Sequence, residues 1–515
     1  MKFANFVAID LGASNGRVFN ASWNGKTFNL RELHRFANSS VDVLGRLHWD
    51  VLRLWSEIKN GLSSYSREYQ SIPAGIGVDA WGVDFALLDA EGSLLGNPHT
   101  YRDRRTEGIP ASVFAQIPEQ AIFQETGIQS CPINTVFQIF SMVQNRDPQL
   151  EAAATMLMIP DLFSFWLSGA KSIEYTIGST SQMLRTKEPE WAHDLLTRLR
   201  IPSHFLPSVI KPGSALGPLR REIARETNLS AATSVLAVAA HDTASSVAAI
   251  PGMDSDSVFI SSGTWSLMGM EISEPICTPQ ACQLGFSNER GVGGAVLLLC
   301  NITGLWLLQE CMRQWRIEGN PYSWTGLLKI AEKSEPFRSL IVPDSPEFVA
   351  PKNMLLAIRN FCRRTKQLLP DSPGAFARCC IESLCLRYRQ VLDSLVELTH
   401  QQLSIIRVAG GGALNRMLCQ FTANATNRSV ITGPTEASVL GNVLVQAIAT
   451  GHIKNLNEGR EAVALSVRQS IFEPRAVDSW EQAFELFQKL VAGSPLTHLV
   501  LLAGMLYGVP TALRA

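Results

Sequence analysis

The sequence predicts two related domains of mixed α and β structure, one in each half of a 515-residue chain. Three observations predict them. A short apolar strand, Phe6–Asp10, breaks at the small polar turn Gly12-Ala13-Ser14-Asn15-Gly16 and resumes at Arg17–Trp23. The same unit recurs far downstream as Asp256–Ile260, Ser261-Ser262-Gly263-Thr264 and Trp265–Met270, which suggests an internal duplication. The composition, 46% apolar with a net charge of −1, supplies enough apolar surface for large cores and too little net charge for disorder. The boundary is expected near residues 235–255.

The elements follow from local pattern. Asn24-Gly25 makes a hairpin turn before a third strand, Thr27–Phe36. From Asp50 a helical period places Val51, Leu52, Leu54, Trp55, Ile58 and Leu62 on one face. Ala74–Asp79 reads as a buried strand, and Phe85–Leu88 with Leu94–Leu95 as a hairpin around Glu91-Gly92. Residues 110–235 alternate helices and loops, after which the strand from Ser234 runs into His241-Asp242-Thr243 at a helix start. A long helix, Gly374–Gln401, precedes a strand–GGG–helix–strand unit over Ser404–Thr432, and another helix starts near Glu436. Two uncharged stretches rival membrane spans in length. Gly291–Gln309 fits a buried strand, a turn and a helix start. Leu490–Leu513 is interrupted by Pro495, His498 and Pro510 and fits a packed or interfacial helix.

Composition narrows the function. Lys and Arg number 45 against 46 Asp and Glu, so the electrostatic footprint of a nucleic-acid binder is missing. Ten cysteines are scattered with no CxxC pair, as expected of reduced, mostly buried thiols. The N-terminus meets Asp10 after one short apolar run, which predicts no signal peptide and a cytoplasmic setting. GxxxxGK[ST], HRD, DFG and HExxH motifs do not occur, so P-loop and protein-kinase schemes do not apply.

Several residues can carry chemistry. In the turn Gly12–Arg17, small residues let backbone N–H groups approach an anion, Ser14 and Asn15 add donors, and Arg17 adds a fixed charge. Asp10 beside it can hold Mg²⁺ through water. Alone, this turn serves a plain hairpin as well. The second turn, with the Thr264 hydroxyl, tips the reading toward two hairpins gripping a polyphosphate. Gly410-Gly411-Gly412 permits close approach of a ring or phosphate, or is simply a turn; Asn415 spoils a GxGxxG fingerprint. Asp242 can accept a proton from an alcohol attacking phosphorus, although on position alone a helix cap is the stronger reading. Asp79-Ala80-Trp81-Gly82-Val83-Asp84 offers carboxylates for sugar hydroxyls and an indole for C–H faces. Asn301 lies in an apolar run and requires either a backbone partner or a ligand hydroxyl.

In this order the residues resemble the FGGY family of carbohydrate kinases. The matching stretches are AIDLGASNGRV, VDAWGVDFALLD, YRDRRT, HDTASSVAAI, SSGTWSLMG, NITGLWLLQ, VAGGGALNR and GPTEASVLGN, within residues 4–490. More narrowly, the blocks WGVDFALLD and HDTAS resemble members that act on L-rhamnulose. The resemblance implies an α/β fold of two ribonuclease H-like (actin-like ATPase) domains with a cleft between them. It divides the chain into an N-terminal domain 1–245, a C-terminal domain 246–490 and an apolar tail 491–515. It implies Asp242 as the proton acceptor and Ala13, Ser14, Asn15, Gly16, Arg17, Thr264, Gln309 and Gly411 as ATP-binding residues. Gly82, His241, Asp242, Thr243 and Asn301 would contact the sugar, and Asp10 would sit near Mg²⁺. The implied reaction is phosphorylation of L-rhamnulose at its 1-hydroxyl by ATP, with Mg²⁺, no nucleic acid and no membrane, in a monomer or small homo-oligomer. A different sugar, or a non-catalytic sugar sensor on the same fold, are the alternatives; a sensor would lack the base that Asp242 supplies. Asn15 stands where the family usually has Ser, and the tail has no counterpart. Family members can pair cysteines, and Cys362 and Cys379 have a compatible spacing; a cytosolic setting favours their reduced state.

Overall fold

Along the strand Ala4–Leu11, Val7, Ile9 and Leu11 pack to one side and Phe6 and Ala8 to the other, so both faces of this strand are buried. In this computed structural model, which describes residues 3–349 and 351–493, it is the centre of a six-stranded sheet. Ala4–Leu11 runs antiparallel to Asn15–Trp23, which pairs with Phe28–Ala37, and parallel to Gly75–Ala80 on its other side. Ser234–Leu236 and Ala215–Pro218 complete that sheet. The second, seven-stranded sheet repeats the plan. Ser257–Ser262 is antiparallel to Trp265–Ile272, which pairs with Val296–Thr303, and parallel to Ile405–Ala409. The duplication suspected from two broken hairpins is thus a repeat of strand order and direction.

Helices fill the spaces in layers. Val51–Glu68 covers the outer face of the first sheet through Val51, Leu54, Ile58 and Leu62. Leu52, expected on that face, is 56% exposed, because it is turned about 100° from Val51. Pro373–Thr399 and Trp306–Ile317 cover the outer face of the second sheet. Between the sheets lie Asp242–Ala248 and Ala437–Ala449. The first packs on Phe259 and Ala409, the second on Phe6, Ala8 and Phe19 of the opposite sheet. These helices touch backbone to backbone at Gly441, where a Cβ would lie 2.9 Å from Ser245 Cα and closer still to its carbonyl.

Two expectations change with long-range pairing. Phe85–Leu88 meets Leu94 only in one bridge, and its full partner is Thr155–Met158. Gly291–Gln309 divides into the buried strand Val296–Thr303 and the start of Trp306–Ile317. Among the described residues no helix is long and apolar enough to cross a membrane. The stretch Leu490–Leu513 ends one helix, Val477–Ala492, and otherwise lies outside the described residues. Cys362 and Cys379 are free, buried thiols.

Candidate active site

Both broken hairpins and the leading ends of both central helices converge on one cleft of about 530 Å³. Its lining includes Asp10, Ala13, Ser14, Asn15, Arg17, Gly82, His241, Asp242, Thr243, Thr264, Asn301 and Gly411. Twelve sequence-predicted site residues from distant parts of the chain therefore share one wall-to-wall space.

The first turn is held in shape by Gly12 N–H donating to Asn15 O at 2.8 Å and Asn38 Nδ2 donating to Gly12 O at 2.9 Å. Its tip, Ser14, is exposed. The second turn is closed by Gly263 N–H on Trp265 O at 2.9 Å, and Thr264 is likewise exposed at its tip. Gly410 adopts φ +79°, which favours glycine, and a Cβ on Gly411 would meet nothing within 4 Å.

Two expected nucleotide residues stand back from this lining. Gly16 is a packing glycine, where a Cβ would strike the Phe36 ring and come within 3.0 Å of Leu11 Cδ2. Gln309 lies on Trp306–Ile317, nearly one turn beyond the Trp306 N–H that anchors on Thr264 O at 3.0 Å, and does not line the cleft.

Charge is concentrated where the sheets face each other. Arg17 Nε donates to Asp10 Oδ2 at 3.0 Å, and the same guanidinium also pairs with Glu436 at the start of the other central helix. Burial opposes the Arg17 charge, but Asp10 and Glu436 outweigh it and raise its pKa. Asp10 is in register with Asp79, whose carboxylate was expected to face sugar hydroxyls. Instead Asp79 is fully buried, accepts from Asn442 Nδ2 at 2.6 Å and leaves Oδ2 without a partner. Burial, then the nearby Asp10 charge, pushes its pKa well above the carboxylate range.

Asp84 is structural for the same reason of burial. It accepts from Trp49 Nε1 at 2.6 Å, Trp81 Nε1 at 3.0 Å, Tyr101 N–H at 3.1 Å and Gln138 Nε2 at 3.2 Å. Burial raises its pKa to about 6 against those donors. Between them Val83 holds φ +68°, a costly conformation for a β-branched residue. It is pinned there by Thr180 Oγ1, which accepts from its N–H at 3.0 Å, and Thr135 Oγ1, which donates to its carbonyl at 2.6 Å.

Asp242 opens a central helix, and 35% of its side chain is exposed to the cleft, so a small molecule can reach it. It is a first-turn residue rather than a cap: His241 holds the cap position and makes no side-chain cap bond. Burial pushes the Asp242 pKa up, while the His241 charge pulls it down. Asn301 is half-buried and faces the cleft from Val296–Thr303. Sequence reasoning missed Tyr101, Gln129, Asn134, Ser287 and Glu289, which also line the cleft. Only Tyr101 carried a signal, in the stretch YRDRRT; the others lie in segments without motif character.

Residues 5–249 match the model for the N-terminal domain of the FGGY family of carbohydrate kinases, and residues 258–450 match that for its C-terminal domain. The chain belongs to this family. As an FGGY carbohydrate kinase it is a phosphotransferase. It is 40% identical over 487 residues to a rhamnulokinase of Bacteroides thetaiotaomicron, covering 95% of this chain and 99% of that one. A rhamnulokinase of Pectobacterium carotovorum is 39% identical over 492 residues, covering 95% and 97% of the two chains. Among solved structures, gluconate kinase from Lactobacillus acidophilus superposes with a TM-score of 0.80 at 15% identity, over 96% of this chain and 98% of that one. At that identity the likeness shows the shared fold of FGGY kinases alone.

Proposed function

We propose that the protein transfers the γ-phosphoryl group of ATP to the 1-hydroxyl of L-rhamnulose, giving L-rhamnulose 1-phosphate and ADP, in the cytoplasm. One observation carries this reading: Asp242 is reachable in a cleft that has the predicted sugar residues and both polar turns on its walls. The identity to rhamnulokinases supports the choice of sugar. The catalytic lobes are residues 1–245 and 246–490, with Ala437–Ala449 reaching back onto the first sheet.

The chain's residues divide the work. His241, Thr243, Asn301 and the backbone at Gly82 hold the ketose, with its 1-hydroxyl against Asp242. Backbone N–H groups of Ala13, Ser14 and Asn15, Arg17, the Thr264 hydroxyl and the open backbone at Gly411 hold the ATP phosphates. The hydroxyl oxygen forms its bond to the γ-phosphorus as the bond from that phosphorus to the ADP oxygen breaks, and Asp242 takes the hydroxyl proton. Such a transfer needs positioning and charge neutralisation more than a strong base. The donor set also fits Mg²⁺. Among the described residues no three His, Cys, Asp or Glu side chains form a metal cage, and Mg²⁺ carried on phosphates needs only one or two carboxylates. Asp10 would hold it through water, and the ion would supply neutralising charge at the phosphates.

The test is ATP consumption by purified protein across L-rhamnulose, L-fuculose, D-xylulose and glycerol. L-rhamnulose is expected to give the highest kcat/KM; turnover with another of these but not with L-rhamnulose overturns the substrate assignment.

A further inference from the structure

The cleft contains a buried carboxylate that the reaction as described leaves unused. Glu289 lies on the strand Phe286–Arg290 of the second sheet, with 9% of its side chain exposed. Its Oε2 is 3.0 Å from Nδ1 of His241, whose side chain is also 9% exposed. The other ring nitrogen of His241, Nε2, is 3.5 Å from Asp242 Oδ1. The imidazole thus stands between the base and a carboxylate from the opposite half of the chain.

The backbone on both sides is fixed. His241 N–H donates to Thr176 Oγ1 at 3.2 Å, and its carbonyl accepts from Ser245 N–H at 3.0 Å. The strand carrying Glu289 is tied to the first half by Asn288 N–H on Gly127 O at 2.8 Å and Arg290 N–H on Ser179 Oγ at 3.1 Å. Nδ1 and Oε2 are close but not yet aligned as a hydrogen bond. Catalytic hydrogen bonds commonly align only when substrate is bound. A buried carboxylate left without a partner is costly, which favours that alignment.

We propose that Glu289 is a positioning residue for phosphoryl transfer, acting through His241: it accepts from Nδ1–H, fixes the ring, and leaves Nε2 aimed at Asp242 and the ketose. The proposal rests on the reading of Asp242 as the base. The second nitrogen of a histidine is set by the partner of the first. The groups facing His241 are Glu289 from the second sheet, Asp242 beside it, and Glu174 below, which accepts from Ala240 N–H at 3.0 Å. Burial alone would lower the His241 pKa; these carboxylates, Glu289 foremost, reverse that and raise it. A charged ring beside Asp242 in turn keeps the base ionised at lower pH.

The test compares full-length wild type, E289Q and E289A. The His241 titration is followed by NMR of histidine-labelled protein, with H241Q assigning the signal, and kcat and both KM values are measured against pH. In E289A the His241 pKa should fall and the acid limb of kcat/KM should move to higher pH. Its kcat/KM for the ketose should drop about 10- to 100-fold, the range of a hydrogen bond to a charged group, with KM for ATP within about twofold of wild type. E289Q keeps an oxygen for Nδ1–H and should recover part of the kcat, and it carries the test if E289A does not fold. An unmoved His241 titration and acid limb in the folded variants overturns the proposal, as does an equal loss toward ATP and ketose. If wild type phosphorylates no ketose, the function assigned above fails, while the His241 titration still decides whether Glu289 governs the ring.

Discussion

Substituting Gly441 by Ala perturbs the contact between the two central helices without touching any cleft side chain. The added Cβ would lie 2.9 Å from Ser245 Cα, whereas ordinary contacts begin at 3.4 Å, and it would press harder on the Ser245 carbonyl. The obstacle is backbone on both sides, so no rotamer change relieves it. The helices must part, and Asp242–Ala248 carries the base at its leading end. Overpacking of this kind costs about 1–3 kcal/mol, and the upper end applies where backbone must move. For a cooperative unit of this size that lowers Tm by about 6–12 °C. A shift of about 1 Å in a catalytic group costs about 100-fold in rate. Thermal denaturation and ATP-coupled kinetics read both effects. The control is Gly96→Ala, where the new Cβ meets only the end of the flexible Gln149 side chain at 3.4 Å. If G441A matches G96A within 2 °C and about twofold in kcat, the helices are not in the tight contact on which this reasoning depends.

Two further outcomes follow from the same geometry. Asp242→Asn should lower kcat by at least about 100-fold, the typical worth of a general base, while ATP binding measured by calorimetry stays within about threefold; retained turnover removes Asp242 from its role. His241→Gln removes the charge that lowers the Asp242 pKa and leaves the burial that raises it, so the base protonates at higher pH. The acid limb of the kcat/KM profile should therefore move upward, and a downward move contradicts the assigned electrostatics.

What the sequence determined by itself is local. Apolar runs broken by Gly12–Asn15 and by Gly263-Thr264 specify hairpins, because strand period and turn chemistry act over a few residues. The recurrence of that unit was enough to expect a duplicated fold, and the family motifs were enough to locate most of the cleft. Where local pattern misled, the error was one of neighbours. Asp79 and Asp84 look like sugar ligands in the string VDAWGVD, yet both carboxylates turn inward to Asn442, Trp49 and Gln138. Gly16 also carries a demand that no local pattern shows, since a Cβ there would strike the Phe36 ring. Leu52 shares the apolar character of Val51 but not its direction.

Only the tertiary structure decided which distant groups meet. Arg17 is paired with Glu436, 419 residues away, and His241 with a glutamate that no motif marks. Strand register and the approach of the central helices set those meetings, and both depend on packing between elements remote in the chain. Burial then sets the charge state of what has been brought together. That is why Asp79 and Asp242, alike in sequence, end as a buried structural carboxyl and as the group the cleft exposes.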